Sequence, residues 1–220
     1  MTRGWIVGAG AQGRVIAEMW RAQHPGAALG FLDDDPALHG QRVLGLLVAG
    51  PVERLADQHG RDAEVMLGIG HNARRLSLAD RWDAHGIAWG RVVHPSAVVA
   101  PSAEIGAGTV VFAQAAVNAG ARLGRHVVVN TSVVVEHDCV IGDGAYLAPG
   151  ACMGGRVEIG RGAFLAVGAT LAPRVSVGAG AVIGAGAVVM EDIPAAVLAY
   201  GAPARVVQAL DASFDWSRLL

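Results

Sequence analysis

The sequence predicts two architectures in one chain: an α/β domain with a small, Rossmann-like parallel sheet over residues 1–92, and an all-β parallel β-helix with a C-terminal tail over residues 93–220. Three observations predict this organisation. The first part alternates apolar segments of strand length with segments of helical periodicity. The second part carries an aliphatic residue at every sixth position from Val93 onwards. A glycine-rich loop, GAGAQG, follows the first strand-like segment.

The first part is predicted element by element. Strands separated by helical segments are typical of βαβ units with a parallel sheet. The segment HNARRLSLADRW has helical spacing, with Leu76, Leu78 and Trp82 on its apolar side. We predict strands at 4–7, 29–32, 42–48 and 64–69, and helices at 12–23, 51–59 and 71–82.

The second part repeats with a period of six. Seventeen aliphatic residues, from Val93 to Val189, are in phase without an insertion, and small or β-branched residues follow four positions later. A helix needs apolar spacings of three and four, a hairpin sheet needs alternation, and a disordered Ala/Gly-rich tail lacks a regular buried position. The period therefore predicts a β-helix of hexapeptide repeats, with glycines after the aliphatic positions easing its corners. With three hexads to a coil, residues eighteen positions apart stack at about 4.8 Å.

Composition argues against several classes of function. The 17 basic residues are all arginines, so a lysine Schiff base is excluded. A net charge of −2 without blocks of like charge argues against binding of nucleic acid or of an anionic membrane. Without a signal peptide or an apolar run of about 18 residues, we expect a cytoplasmic protein that does not span a membrane. Cys139 and Cys152 lack metal or disulfide spacing, so we expect two buried thiols and no metal.

His137 is the candidate catalytic base. It lies two positions after the inward Val135, so its ring is expected at a turn outside the core, between Glu136 and Asp138. Flanking acids orient an imidazole and stabilise its protonated form, as a general base requires. Gly155, eighteen positions later, is expected to stack above the ring and leave room for a thioester. The alternative is a surface histidine at a coil corner.

Several stretches resemble the hexapeptide-repeat acyltransferases: HPSAVVAPSAEIGAGTVV, NTSVVVEHDCVIGDGAYLAPGACMGG and VVMEDIPAAVLAYGAPARVV, together with IVGAGAQG and FLDDD. Within that family they are similar to the branch of the sugar-nucleotide N-acetyltransferases PglD and PerB and the sialic acid O-acetyltransferase NeuD. The resemblance implies a left-handed β-helix, acetyl-CoA as cosubstrate, and a homotrimer with active sites between subunits. It also implies that His137 accepts the proton of the amine and that Asp138 steadies the ring, with Glu136 a weaker candidate.

The resemblance places acetyl-CoA along the prism between subunits, against five positions: Tyr146, Gly155, Ala166, Val167 and Ala185. Plain coil packing is the alternative for each of them. Three arginines are candidates for the phosphates of CoA or for simple solvation: Arg161, Arg174 and Arg205. We expect direct attack without a covalent intermediate, because Cys139 is an inward position and Ser132 has no base assigned to it.

The glycine loop is a candidate nucleotide site. Gly8, Gly10 and Gly13 follow a strand and open a helix, and Asp33 comes twenty positions after Gly13. Glycines let backbone N–H groups approach phosphates, and an acid can bind a ribose hydroxyl. Alone, the motif suggests NAD. Since about 90 residues are too few for a two-halved dinucleotide fold, we assign the loop, with Asp33 and Asp34, to the nucleotide of the acceptor.

Five further polar residues are candidate substrate contacts. The resembled loops often carry histidine where this chain has Gln12, so a second acid–base group there is in doubt. His71 and Asn72 lie at a strand end that faces the same crevice, although helix capping by Asn72 is an equally good account. Asn118 and Asn130 follow inward positions and are candidates for a structural ladder as well as for the site.

These features lead to a first hypothesis. The chain is expected to be an acetyl-CoA-dependent N-acetyltransferase acting on the 4-amino group of a nucleotide-linked 4-amino-4,6-dideoxyhexose, such as GDP-perosamine or a UDP-linked amino sugar. O-acetylation of sialic acid or another hydroxyl acceptor is the alternative. A non-catalytic sugar-nucleotide-binding protein and an NAD-dependent oxidoreductase are the remaining hypotheses.

Overall fold

The computed structural model describes residues 3–56 and 63–211. The N-terminal domain contains a three-stranded parallel sheet in which the strand Arg3–Val7 lies between the strands Ala28–Leu32 and Glu64–Leu67. Its elements are β1 (Arg3–Val7), α1 (Ala11–Gln23), β2 (Ala28–Leu32), β3 (Arg42–Val43), β4 (Leu46–Leu47), β5 (Glu64–Leu67) and α2 (Asn72–Asp83), with short 3-10 helices at Pro36–Leu38 and Val52–Ala56. The predicted strands at 4–7 and 29–32 and the first and last predicted helices are confirmed within one residue.

The predicted strand at 42–48 is wrong as a single element. β3 and β4 form an antiparallel hairpin, because Leu44 and Gly45 both adopt the left-handed conformation, with φ of 52° and 76°. Two such residues in succession reverse the chain. Only Val48 reaches the main sheet, where it bridges to Phe31. The helix expected at 51–59 is a 3-10 turn at Val52–Ala56, and residues 57–59 lie outside the described part.

The second part is a parallel β-helix of seventeen two-residue strands, β6 to β22, three to a coil. The first face contains Val92–Val93, Val110–Val111, Val128–Val129, Tyr146–Leu147, Phe164–Leu165 and Val182–Ile183. The second face contains Val98–Val99, Ala116–Val117, Val134–Val135, Cys152–Met153, Thr170–Leu171 and Val188–Val189. The third face contains Glu104–Ile105, Arg122–Leu123, Val140–Ile141, Glu158–Ile159 and Ser176–Val177. β23 (Val197–Gly201) and the antiparallel β24 (Ala204–Ala209) close the last coil.

The stacking interval of eighteen residues is confirmed. Val117 pairs with Val135, and Val135 pairs with Met153 in the coil above. The second residue of each strand and the small residue four positions later point into the prism; Val135 and Cys139, for example, are fully buried. Burial of about 25 cal/mol per Å² of apolar surface makes this continuous column the main stabilising feature.

The corners use glycine differently from the prediction. From Ile105 to Ile183, the left-handed residue lies three positions after each inward aliphatic residue, as at Gly120 and Asp138, with φ of 70° and 59°. The glycine directly after the aliphatic residue has another role: a Cβ at Gly142 would collide with the backbone around Gly160 and Arg161 in the next coil. Close approach of stacked backbones, not positive φ, requires glycine there.

The N-terminal domain packs on the first face. Ile6 and Trp20 share one buried cluster with outward residues of that face, including Val110 and Val128. Helix α2 lies at the corner between the third and first faces, where Leu76 packs over Gly144. The predicted apolar side of α2 is confirmed for Trp82, whereas Leu76 and Leu78 are only partly buried. The buried side consists of Asn72, Arg75, Ala79 and Trp82.

Arg75 fastens α2 to the β-helix. Its side chain is 1% exposed, and its guanidinium donates to five oxygens: the carbonyls of Ile69, Gly70, His126 and Gly144, and Oδ1 of Asn72. Burial lowers the pKa of Arg75 to about 10, so the group stays charged at neutral pH. These bonds fix the loop after β5 against the corner of the prism.

Candidate active site

His137 lies on the turn between the second and third faces, and its side chain is 54% exposed. Its Nδ1 is 2.9 Å from Oδ2 of Asp138. An ionised carboxylate only accepts hydrogen bonds, so Nδ1 carries the proton and Nε2 keeps its lone pair. The hydrogen bond from His137, and secondarily its charge and that of Arg156, hold the pKa of Asp138 below its usual range. The pair therefore has the form of an oriented base.

Gly155 lies directly over the imidazole, as the stacking predicts. A Cβ at Gly155 would collide with Nε2 of His137, and the backbone N–H of Arg156 donates to the carbonyl of His137 at 2.9 Å. Below the pair, Gly120 leaves space for Asp138: a Cβ there would lie 2.7 Å from Oδ1. The imidazole thus occupies the space that the missing side chain of Gly155 leaves, and only glycine at position 155 accommodates the ring in this orientation.

The neighbouring polar groups have separate partners. Oε2 of Glu136 accepts the backbone N–H of His137 at 3.1 Å. Burial raises the pKa of the Cys139 thiol, which lies 3.3 Å from the carbonyl of Gly154. Ser132 bonds Gln114 at 3.2 Å. A thiol held protonated in the core is a poor nucleophile, which favours direct attack on the thioester.

The expectation of two buried thiols is wrong for Cys152, which is exposed because it is an outward strand position.

The second face joins His137 to three of the candidate cofactor positions. Val167 and Ala185 stack at the corner before this face, and Gly155 lies at the corner after it. The outward residues of the face are all uncharged: Val98, Ala116, Val134, Cys152, Thr170 and Val188. The third face, in contrast, exposes Glu104, Arg122 and Glu158. An uncharged, shallow strip therefore runs from the exposed Val167 to the base.

Tyr146 and Ala166 lie elsewhere. They are 8% and 7% exposed and belong to the cluster that the first face shares with the N-terminal domain. The hydroxyl of Tyr146 accepts from Asn130 at 2.9 Å and donates to Oε1 of Gln12 at 3.4 Å. The side chains of Asn130, Tyr146 and Gln12 thus join the glycine loop to the β-helix. The roles of these residues and of Ala166 toward ligands stay predictions.

The glycine loop is built for close backbone contacts. Gly8 has φ of 97°, and a Cβ at Gly13 would collide with the carbonyl oxygen of Gly8. A Cβ added at Gly10, the N-cap of α1, would meet no atom of the described residues within 4 Å. The N–H of Ala9 donates to Oδ2 of Asp33 at 2.7 Å. Asp33 therefore braces the loop in this structure, and the open backbone at Gly10 is the part that is accessible to a phosphate.

A recess beside this loop is lined by Gly8, Asp33, Asp34 and Arg74, among others. The carboxylate of Asp33 also accepts the N–H of Asp35 at 2.9 Å, and Asp34 accepts the N–H of Val52 at 3.0 Å. Arg74 is the basic residue of the lining, and the sequence reasoning missed it. Its position after the strand-end motif GIGHN, in a chain without lysine, was the available signal.

Helix capping, considered for Asn72, is performed by His71. His71 is the N-cap of α2, where its Nδ1 accepts the N–H of Arg74 at 3.2 Å. Asn72 does not cap the helix and does not reach the crevice, because its buried amide donates to the carbonyls of Gly162 and Ala163 at 3.0 and 3.1 Å. Its long-range partners lie in the β-helix, which local sequence does not reveal.

The remaining candidates are distributed around the prism. Asn118 lies one coil below Glu136, whereas Asn130 belongs to another column, so the two do not share a ladder. Nε2 of Gln12 is buried without a hydrogen-bond partner in residues 3–56 and 63–211. Arg161 pairs with Asp80 and Asp143 at 3.1 and 3.3 Å, and Arg205 lies 3.9 Å from Glu191. Arg174 is exposed one coil above Arg156.

Comparison with known proteins identifies the family. PerB from Caulobacter crescentus, solved with CoA and GDP-perosamine, is 37% identical, with a TM-score of 0.87 over 94% of this chain and 98% of that one. The chain belongs to the hexapeptide-repeat acyltransferases. The model of the PglD N-terminal domain matches residues 5–82 of this acyltransferase, and that of the bacterial transferase hexapeptide matches residues 120–155.

Two further structures resemble this acyltransferase over almost its whole length. The acetyltransferase domain of PglB from Neisseria gonorrhoeae FA1090 is 34% identical, with a TM-score of 0.89 over 94% of this chain and all of that one. WeeI from Acinetobacter baumannii AYE is 27% identical, with a TM-score of 0.86 over 94% and 100%. No curated protein sequence matches. The solenoid has the left-handed form of this acyltransferase fold.

The described residues of this acyltransferase lack two kinds of feature. They contain no group of three or more His, Cys, Asp or Glu side chains arranged to hold a metal ion. None of the helices within them is long and apolar enough to cross a membrane.

Proposed function

We propose that the chain transfers the acetyl group of acetyl-CoA to the 4-amino group of a nucleotide-linked 4-amino-4,6-dideoxyhexose. The observation that carries the proposal is the exposed His137–Asp138 pair, whose imidazole is accommodated under Gly155. The similarity to PerB, solved with CoA and GDP-perosamine, supports this choice of substrates.

The proposed reaction is a direct transfer. The lone pair of the amine attacks the thioester carbonyl carbon, and Nε2 of His137 takes the proton that the amine loses. The tetrahedral intermediate then collapses, the C–S bond breaks, and the imidazolium returns the proton to the departing sulfur. Asp138 stabilises the imidazolium through Nδ1. The products are an amide and the CoA thiol.

The uncharged second face is the proposed track for the pantetheine arm, from Val167 and Ala185 to His137. The acceptor's nucleotide is assigned to the recess beside Gly8, with backbone N–H groups at Gly10 and the guanidinium of Arg74 for its phosphates.

The N-terminal domain covers the first face of the β-helix, while His137 lies at the corner opposite that face. We therefore propose a homotrimer with sites between subunits, which light scattering tests as a mass of about three chains.

The test is release of free thiol from acetyl-CoA with a panel of acceptors. GDP-perosamine and UDP-linked 4-amino sugars are expected to release thiol, whereas the matching 4-hydroxy sugars and sialic acid are expected to give none. His137→Asn should lose about 10²–10⁴-fold in kcat while still binding acetyl-CoA. Thiol release only with sialic acid would replace the proposal by O-acetylation, and an unaffected His137→Asn enzyme would remove the assigned base.

A further inference from the structure

Asp138 has a second basic partner besides the imidazole. Arg156, on the turn one coil above, has its Nε 3.6 Å from Oδ2 of Asp138. That is the same oxygen that lies 2.9 Å from Nδ1 of His137. The other carboxylate oxygen is directed toward Gly120 in the coil below. Two positive or potentially positive groups therefore converge on one oxygen.

The positions of both residues are unusual for their types. Asp138 and Arg156 adopt the left-handed conformation, with φ of 59° and 62°, at a corner position that is glycine one coil below, at Gly120. A side chain in this region carries a conformational cost that glycine avoids. Because the two residues are eighteen apart, the stacking of the coils brings their side chains together. The contact therefore follows from the repeat itself and not from a flexible loop.

We propose that Arg156 is a positioning residue for the base, holding Asp138 against His137 and offsetting part of the charge that the carboxylate presents to the ring. This rests on the proposed function of His137. The ring must be neutral to take a proton from the amine, and a carboxylate alone favours its charged form. A guanidinium on the same carboxylate oxygen opposes that effect.

The charged groups around the ring can be named. Glu136 and Asp138 lie on the turn of His137, Arg156 lies on the turn above, and Ala119 and Gly120 below carry no charge. Arg156 is thus the cation that opposes two carboxylates at this corner. Its side chain and that of Asp138 are 56% and 51% exposed, so salt should screen the effect.

The test compares the native protein with Arg156→Gln. The ring signal of His137, assigned by its loss in His137→Asn, is titrated by NMR without ligands. The midpoint is expected to move to higher pH by about half a unit at low salt, and by less when salt is added. In the transferase assay, the acidic limb of the kcat/KM profile should move by the same amount, with an unchanged plateau at high pH. Arg156→Lys, which keeps a positive charge, should have a midpoint between those of the native protein and Arg156→Gln.

Arg122→Gln is the matched control, since it removes the same charge from the outer surface of the third face. It should leave the midpoint unchanged. Three results would overturn the proposal: a midpoint that Arg156→Gln does not move, an equal loss of activity at every pH, or a raised KM for acetyl-CoA with an unmoved acidic limb. The NMR titration needs no turnover, so a failure of the proposed acetyl transfer would be seen separately.

Discussion

Gly155 shows how much of the site depends on one absent side chain. A methyl group there would meet Nε2 of His137, the nitrogen assigned to the amine proton. Because the neighbouring coil fixes both backbones, the ring would have to rotate away from Asp138. We expect Gly155→Ala to lower kcat by about 10-fold or more while the melting temperature changes little, measured by thiol release and calorimetry. Unchanged turnover would mean that the nitrogen facing Gly155 is not the one that reacts.

Arg74 is the second residue whose role can be isolated. It lines the recess beside Gly8 with two carboxylates, both of which accept backbone N–H groups. A guanidinium there suits the diphosphate of a nucleotide sugar. Arg74→Gln should raise KM for the nucleotide sugar about 10-fold and leave KM for acetyl-CoA unchanged. Arg81→Gln, on the same helix but paired with Glu53, is the control; equal effects of the two variants would contradict a specific contact.

At the level of elements, α2 is held by Arg75 more than by apolar packing. Replacing Arg75 with Met would leave several buried oxygens without donors, among them the carbonyls of His126 and Gly144. We expect a loss of about 3 kcal/mol or more in the free energy of unfolding, measured by urea denaturation. Arg75→Lys should recover little, since an ammonium cannot reach oxygens spread around a planar fork. The exposed Arg81→Gln should cost less than about 1 kcal/mol.

The elements that the sequence predicts best are those in which a local repeat decides burial. The aliphatic period placed every strand of the three faces, because each hexad meets the same surroundings as the one eighteen residues away. The hairpin at Leu44 and Gly45 was missed because a non-glycine residue in the left-handed conformation leaves no mark in an apolar pattern. The burial of Arg75 on α2 was missed for another reason: two of its acceptors lie 51 and 69 residues away in the chain.

The same distinction applies to the candidate site. The arrangement of His137, Asp138 and Gly155 was predictable because the three residues are neighbours in the chain or in the stacking interval. Tyr146 and Asn72 were harder to place, since their surroundings depend on how the N-terminal domain lies on the first face. Periodicity therefore predicts contacts within the prism, and contacts between the two domains need the three-dimensional structure.

At the scale of the whole molecule, the N-terminal domain determines which faces of the β-helix are covered and which stay exposed. The N-terminal domain covers the first face and the corner at Gly144 to which Arg75 donates, while the uncharged second face and the turn of His137 stay exposed. The recess beside Gly8 and the base of the same chain thus lie on different sides of the prism. A second copy that brings its own domain or face to this turn would complete the proposed site.

The buried His126, at the contact between the N-terminal domain and the β-helix, should also make the free energy of unfolding depend on pH. His126 is 2% exposed, its ring meets Trp89 at 4.7 Å, and neither ring nitrogen has a hydrogen-bond partner in the described residues. Burial, and secondarily the charge of Arg125, lowers the pKa of His126 from 6.5 to about 4; Arg75 adds to this, and Asp83 and Asp143 oppose it. Between these two pH values the unfolded chain binds a proton that the folded one does not.

The sign follows from linkage. The contribution of His126 to stability is fully present above pH 6.5 and is lost as the pH falls toward about 4. Denaturation between about pH 6.5 and 5, where most carboxylates stay ionised, should show a slope approaching 1.4 kcal/mol per pH unit. His126→Asn, which tolerates the left-handed φ of 55°, should be less stable overall but nearly flat over this range, whereas the exposed His24→Asn should keep the slope. Equal slopes in all three proteins would mean that protonation of some other group, and not of the ring at the domain joint, governs the acid sensitivity of the fold.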